Sequence, residues 1–459
     1  MSLSNLKPEC RILLLSLLDK YPIGQSFCIS IEDMAKAFFT TRNVITDLFT
    51  YLKYHGYVAI DRKPTIKGRG RYIYTFMDGL SASIGQDKLL SKAYKSNDFM
   101  IQKIIRNELR ETTISLRSSH RLFILILVIH ADQMGKISDI SSSNIRQMMG
   151  NISTDRFKSQ LRKLQLFKLL SSYIAGFTSK NLFGKVKSSY FINLNHPVFL
   201  DWRPETSSIL IDVKSISSQG VNGCSEANAL IETSKFQAPF RPVLLPIKRI
   251  LKIEDIRYLF CNANVHDNLQ LRLFDIASLI LSEIWSNADI EIPDNDEDKE
   301  TIHKIIDLFN GSKTLSREAY ELLKKIEISS NLHSISSIDS VVSNDGIKPE
   351  MSEKYRTLVY PLILLSLNIA NRYKSILLKI LGNECHIKEF CIIPKQKIKT
   401  ECTEYEIRFI APKYDKKRLN LSCIDHKLQG EKSVSYCSET ELIKYIQPKF
   451  IFNHYHFID

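Results

Sequence analysis

The sequence predicts a mainly α chain with α+β character, in which two tandem copies of one small helix-and-strand unit precede a helical and β-containing C-terminal domain. Three observations predict it. Apolar residues recur at helical spacing beside short alternating segments, the pattern of the first unit returns 112 residues later, and the excess positive charge behind the net +13 lies in the doubled region.

The first unit opens with Cys10 to Lys20. Ile12 to Leu15, with Leu17 and Leu18, make it nearly all apolar, and Pro22 and Gly24 close it, so it reads as a buried support helix. Ser26 to Ile29 is a short extended piece. Ser30 is placed to cap the next helix, with Asp33 three residues on, and Met34, Ala35, Phe38 and Phe39 are its expected buried face. A third helix starts near Thr41. Its Ile45, Leu48, Phe49 and Leu52 share one face, which leaves Arg42, Asn43, Thr46, Asp47 and Thr50 outside. That helix yields at His55-Gly56 to a strand over 57–60, and a second strand runs from Arg71 to Phe76. Around the turn between them stand Arg62, Lys63, Lys67, Arg69 and Arg71 with no acid among them, while Pro64, Gly68 and Gly70 let the backbone turn tightly.

The second unit follows at the same offset. Ile12 to Leu15 fall on Ile124 to Leu127, Ile45, Phe49 and Leu52 on Phe157, Leu161 and Leu164, and Val58 on Leu170. Ser143 or a neighbouring serine can cap a helix holding Ile145, Met148 and Met149. Gly150-Asn151 makes the turn, and Ser153 or Thr154 caps the helix after it. The outer face of that last helix is basic, with Arg156, Lys158, Arg162 and Lys163 around Ser159 and Gln160. Strands near 169–174 and 188–194 then flank a loop carrying Lys180, Lys185 and Lys187 around Gly184.

Charge distribution points the same way. Residues 1–200 hold 29 Lys and Arg against 14 Asp and Glu, whereas the rest of the chain holds 34 against 36. A basic region beside a neutral one is a common electrostatic footprint of nucleic-acid binding. Composition excludes other classes. With 44% hydrophobic and 25% charged residues the chain is that of an ordinary globular protein. Its longest apolar runs, 122–129 and 358–370, are too short or too interrupted to span a bilayer, and the first residues lack a leader pattern, so a cytoplasmic, nucleoid-associated protein is expected. Nine cysteines without regular spacing read as reduced thiols. Cys385, Cys391, Cys402, Cys423 and Cys437 lie among His386, His426, His454 and His456, but no Cys-x-x-Cys pair occurs and no metal site or cofactor is expected.

Residues 10–77 and 120–195 each resemble a winged-helix domain of the helix-turn-helix superfamily. In that superfamily the third helix enters the major groove and the wing touches backbone or minor groove. The resemblance therefore implies reading by Arg42, Asn43, Thr46, Arg156, Lys158 and Ser159, and phosphate contact by Arg62, Lys63, Lys67, Arg69, Arg71, Arg162, Lys185 and Lys187. Arg and Asn can make paired hydrogen bonds to guanine and adenine edges, which singles out Arg42, Asn43 and Arg156 for specificity.

The expected organisation is residues 1–80 as the first winged helix, 81–117 as a helical connector that sets the distance between the readers, 118–202 as the second winged helix, 203–242 as a Ser- and Gly-rich linker, and 243–459 as an α+β domain for self-association or partner contact. In the last part, 253–262, 268–287, 299–310 and 315–328 read as helices, 354–381 as a long one kinked by Pro361, and 405–410 and 450–452 as strands. Asp294, Glu297, Asp298 and Lys299 carry nuclease-like residue types. They are nearly consecutive and suit a charged helix start instead. No nucleotide-cradling loop or nucleophile motif occurs, so no enzyme is expected. The reading is a sequence-specific double-stranded DNA-binding protein, a transcription regulator first and a plasmid- or phage-type replication initiator second, dimeric through its C-terminal domain.

Overall fold

The computed structural model describes residues 3–63, 71–111, 116–179, 184–203, 205–214, 226–236, 244, 247, 254, 266–285, 349–381, 387–394, 402–410 and 455–458. The chain mixes helix and sheet and divides into two compact units, residues 1–173 with 187–203, and residues 174–186 with 204–459. No helix among the described residues is long and apolar enough to cross a membrane.

The first unit begins with α1 (Pro8–Lys20), β1 (Ser26–Cys28), α2 (Ile31–Ala37), α3 (Arg42–Tyr54), β2 (Val58–Lys63) and β3 (Arg71–Phe76). The strands form an antiparallel sheet in the order β1-β3-β2, with Phe27 opposite Tyr74 and Val58 opposite Phe76. After α4 (Asp78–Gln86), α5 (Lys88–Tyr94) and α6 (Phe99–Ile105), the same order of elements returns. These are α7 (Ser118–His130), β4 (Lys136–Ile137), α8 (Ser142–Met148), α9 (Thr154–Leu166), β5 (Leu170–Ile174) and, beyond an inserted hairpin of β6 (Phe177–Ser179) and β7 (Gly184–Val186), β8 (Ser189–Ile192). The second sheet has the matching order β4-β8-β5.

The offset between copies is not constant. Pro8 and Ser118, where α1 and α7 begin, lie 110 residues apart, Ile31 and Ser142 at the starts of α2 and α8 lie 111 apart, and Arg42 and Thr154 at the starts of α3 and α9 lie 112 apart. The second copy therefore gains two residues before its third helix.

Local chemistry sets these boundaries. Ser30 Oγ accepts the Asp33 amide and Ser153 Oγ accepts that of Arg156, each satisfying an orphan donor of a first turn. Ser141, not Ser143, does the same for α8. Phe39 departs from its expected buried place. It takes φ 51° in the turn after α2 and is 54% exposed, so Met34 alone of the four expected residues is fully buried there.

One apolar core runs through this unit from Leu3 to Trp202. Residues 10–18 of α1 and 119–128 of α7 are buried all round, as expected for helices packed on every side. The two helices pack on each other at the centre of that core. The α5 and α6 helices of the connector pack on both α1 and α7, which also contact each other directly. The α6 helix ends on carbonyls that both support helices receive. Ser16 Oγ donates to Ile105 O at 2.6 Å, and Arg121 donates to Ile104 O and Ile105 O at 2.9 Å. Deeper in, Arg11 donates to both oxygens of Asp87 at 2.8 and 2.9 Å and to Leu3 O at 2.7 Å, while Asp87 also caps α5. Both partners are at least 96% buried as side chains.

The second unit contains β6 paired with β7, placing Lys185 opposite Thr178. Where the sequence suggested a loop there is thus a hairpin. The stretch 203–242 is not a bare linker either. It contains β9 (Thr206–Lys214), an inner strand of a sheet ordered β10-β11-β9-β12, and α10 (Glu226–Phe236). Its serines misled the reading, since Ser208 is buried in the sheet. The other strands are β10 (Glu389–Pro394), β11 (Cys402–Ile410) and β12 (Tyr455–Ile458), the last parallel to β9. Two long helices, α11 (His266–Ile284) and α12 (Pro349–Leu381), pack together, and α11 also packs on β10. Ser278 and Ser282 Oγ of α11 accept the amides of Ile392 and Phe390, which closes that edge of the sheet. The α12 helix is continuous through Pro361. The segments 253, 255–262, 299–310, 315–328 and 450–452, and the acidic group from Asp294 to Lys299, lie outside the described residues.

Candidate nucleic-acid interface

Two helices carry the candidate readers. On α3, the buried stripe Ile45, Leu48, Phe49 and Leu52 packs against α1 and α2, so Arg42, Asn43, Thr46, Asp47 and Thr50 are exposed. On α9, Phe157, Gln160, Leu161 and Leu164 are buried, and Arg156, Lys158, Ser159, Arg162 and Lys163 are exposed. Both helices are 13 residues long. A packed stripe on one side of a helix leaves the other side to water, so the expected exposed residues are exposed except Gln160, which was expected on the outer face of α9 and is buried beside Leu161 and Leu164.

Their electrostatics differ. Arg42 pairs with Glu32 of α2 at 2.7 Å, and Asp47 pairs with Lys7 at the same distance, so the first turns of α3 hold balanced charge. The Asp47 hydrogen bond, with its charge, raises the Lys7 ammonium above its ordinary value. Thr46 Oγ1 is turned back to the Arg42 carbonyl at 3.0 Å. Lys158, Arg162 and Lys163 of α9 have no ion pair among the described residues, and Asp155 is the only acid of its first turn. The dense uncompensated positive face is that of α9.

One turn of α1 joins the two helices. Lys7 holds Asp47, Cys10 Sγ donates to the Val44 carbonyl at 3.7 Å, and Glu9 accepts from Arg156 at 2.6 Å. The preceding residue Leu6 sets its carbonyl against Gly150, in the turn that leads into α9, at a place where a Cβ would collide. Residues 6–10 thus touch α3 and the start of α9 alike. Burial pushes the Cys10 thiol up to about 12, so at neutral pH it is a packed thiol and not a nucleophile.

The wing residues are less fully placed. Arg62 is exposed near the end of β2, Lys63 is its last residue and pairs in register with Arg71 at the start of β3, while Lys67 and Arg69 lie outside the described residues. Lys185 stands in β7 of the second unit. Lys187, in the first, is exposed and donates to the Asp139 carbonyl at 2.7 Å. Lys7, Glu9 and Glu32 were missed as members of the site. Their only sequence signal was a Lys-Pro-Glu helix start and an acid beside an N-cap, which spacing alone cannot connect to α3 or α9.

Among the described residues no group of His, Cys, Asp and Glu is arranged to hold a metal ion. Comparison with protein-family models and with curated proteins found no match to this chain.

Proposed function

We propose that residues 10–77 and 120–195 are tandem winged helices and that the protein is a sequence-specific double-stranded DNA-binding protein, acting in the cytoplasm by binding and not by catalysis. The observation that carries this reading is the exposed face of α9, where Lys158, Arg162 and Lys163 stand without an ion pair among the described residues, beside Ser159 and an Arg156 that holds Glu9. Such a face suits phosphate and base edges together, since lysines position and arginine can pair with guanine. On this reading α9 supplies most of the affinity and α3 supplies selectivity through Asn43 and an Arg42 released from Glu32. Transcription regulation is the role proposed first.

A second role is favoured by one observation. The exposed faces of α3 and α9 differ chemically, so one chain would read two unlike half-sites instead of a palindrome. Such an asymmetric site, repeated in the same direction, suits a replication initiator of the plasmid or phage type. Homodimerisation through residues 243–459 belongs to the same proposal, supported by β12 ending its sheet with one described neighbour.

The test is fluorescence anisotropy of the full chain on random-sequence and genomic duplexes across salt concentrations. Arg162→Ala with Lys163→Ala should weaken binding and flatten the log-log salt slope by about 1.8, at about 0.9 for each lost phosphate contact. An unchanged slope removes α9 from the interface. Selected duplexes that hold direct repeats of one site would favour the initiator role, and a palindrome the regulator.

A further inference from the structure

The C-terminal end of α3 carries an aromatic group that duplex reading does not use. Tyr51, Tyr54 and Tyr57 are each in ring contact with His55. His55 lies 4.5 Å from Tyr51, 5.0 Å from Tyr54 in an edge-on arrangement, and 5.8 Å from Tyr57 in a stacked one. Ser83 Oγ donates to Tyr57 OH at 2.7 Å, and the His55 amide donates to the Tyr51 carbonyl, so this part of the cluster is held in place. Tyr54 is different. It is 83% exposed, the most exposed large hydrophobic side chain among the described residues.

We propose that this ring cluster, with Tyr54 as its outer face, is a stacking platform for an unpaired base of single-stranded DNA. The occupant follows from two features of the surroundings. Lys53 beside the rings and Arg62 at the far end of β2 are exposed cations without a partner among the described residues, which suits a backbone running past the rings. The helix C-terminus itself carries partial negative charge and disfavours phosphate, so the rings contact the base while the cations contact the backbone. Every base presents a π-face, so the platform is indifferent to sequence. It stands about 18 Å along α3 from Arg42, at about 1.5 Å per residue, and so is separate from the duplex-reading end. The proposal rests on the nucleic-acid reading above for the class of its ligand.

The experiment measures binding of the full chain to a labelled oligothymidylate of about 15 nucleotides, to an abasic sugar-phosphate oligomer of equal length and to duplex DNA. Wild type should prefer oligothymidylate to the abasic oligomer. Tyr54→Ala should weaken oligothymidylate binding by about tenfold and leave the other two ligands unaffected, while Tyr54→Phe keeps the ring and the affinity. The platform is overturned if Tyr54→Ala binds oligothymidylate as wild type does, or if wild type binds it no better than the abasic oligomer. The Arg162→Ala, Lys163→Ala variant separates the two readings, because it should weaken duplex binding and flatten its salt slope while oligothymidylate binding is kept. Failure of the duplex arm alone removes the winged-helix function and leaves the platform.

Discussion

Left-handed backbone recurs at matching places in the two copies, and the residues that fill those places differ. Phe39 (φ 51°) and Asn151 (φ 58°) stand 112 residues apart, as do Gly56 (φ 69°) and Lys168 (φ 56°). Gly and Asn tolerate this conformation, whereas other side chains crowd their own backbone there at about 1–2 kcal/mol. Each copy thus meets the demand at one position and bears strain at the other. Lys168 is exposed, and its backbone alone bonds to Gln165 and Asn193. Lys168→Gly should therefore raise stability by about 1 kcal/mol, measured by denaturant unfolding. A fall in the midpoint would show that the position is unstrained. The turn after each third helix was readable only in the first copy, because there it holds the glycine that announces it.

At the scale of elements, the beginning of α1 holds one side chain of α3 and one of α9. Lys7 holds Asp47 at the surface, and Glu9 occupies Arg156 through a half-exposed pair of the kind worth about 0.2–1 kcal/mol. Glu9→Gln should release the guanidinium and tighten duplex binding by up to about fivefold, with a steeper salt slope. Weaker binding would mean that Glu9 orients Arg156 for contact. The amphipathic pattern made both outer faces legible, and the N-caps Ser30 and Ser153 were legible by their place before an apolar stripe. The pairing of α1 with both helices was not, since Glu9 and Arg156 are 147 residues apart.

Across the whole first unit, the two copies share one core, so they should lose structure together. Asp87 neutralises Arg11, caps α5 and lies among helices that touch both copies. Asp87→Ala leaves a buried guanidinium without its partner at a cost of about 3–5 kcal/mol. Hydrogen exchange should then quicken in α3 and α9 alike. Retained protection in α9 would show two independently stable copies. Periodicity, charge segregation and doubling were all present in the sequence, because each is a pattern in the order of residue types and needs no knowledge of which segments touch. The two extra residues of spacing in the second copy, the burial of Ser208 in β9, the packing of α5 and α6 on both α1 and α7 and the convergence of α3 and α9 on one turn of α1 were decided by tertiary packing. The physical reason is that periodicity tells which face of an element is buried, while the partner that buries it is chosen by shape and charge among segments distant in sequence.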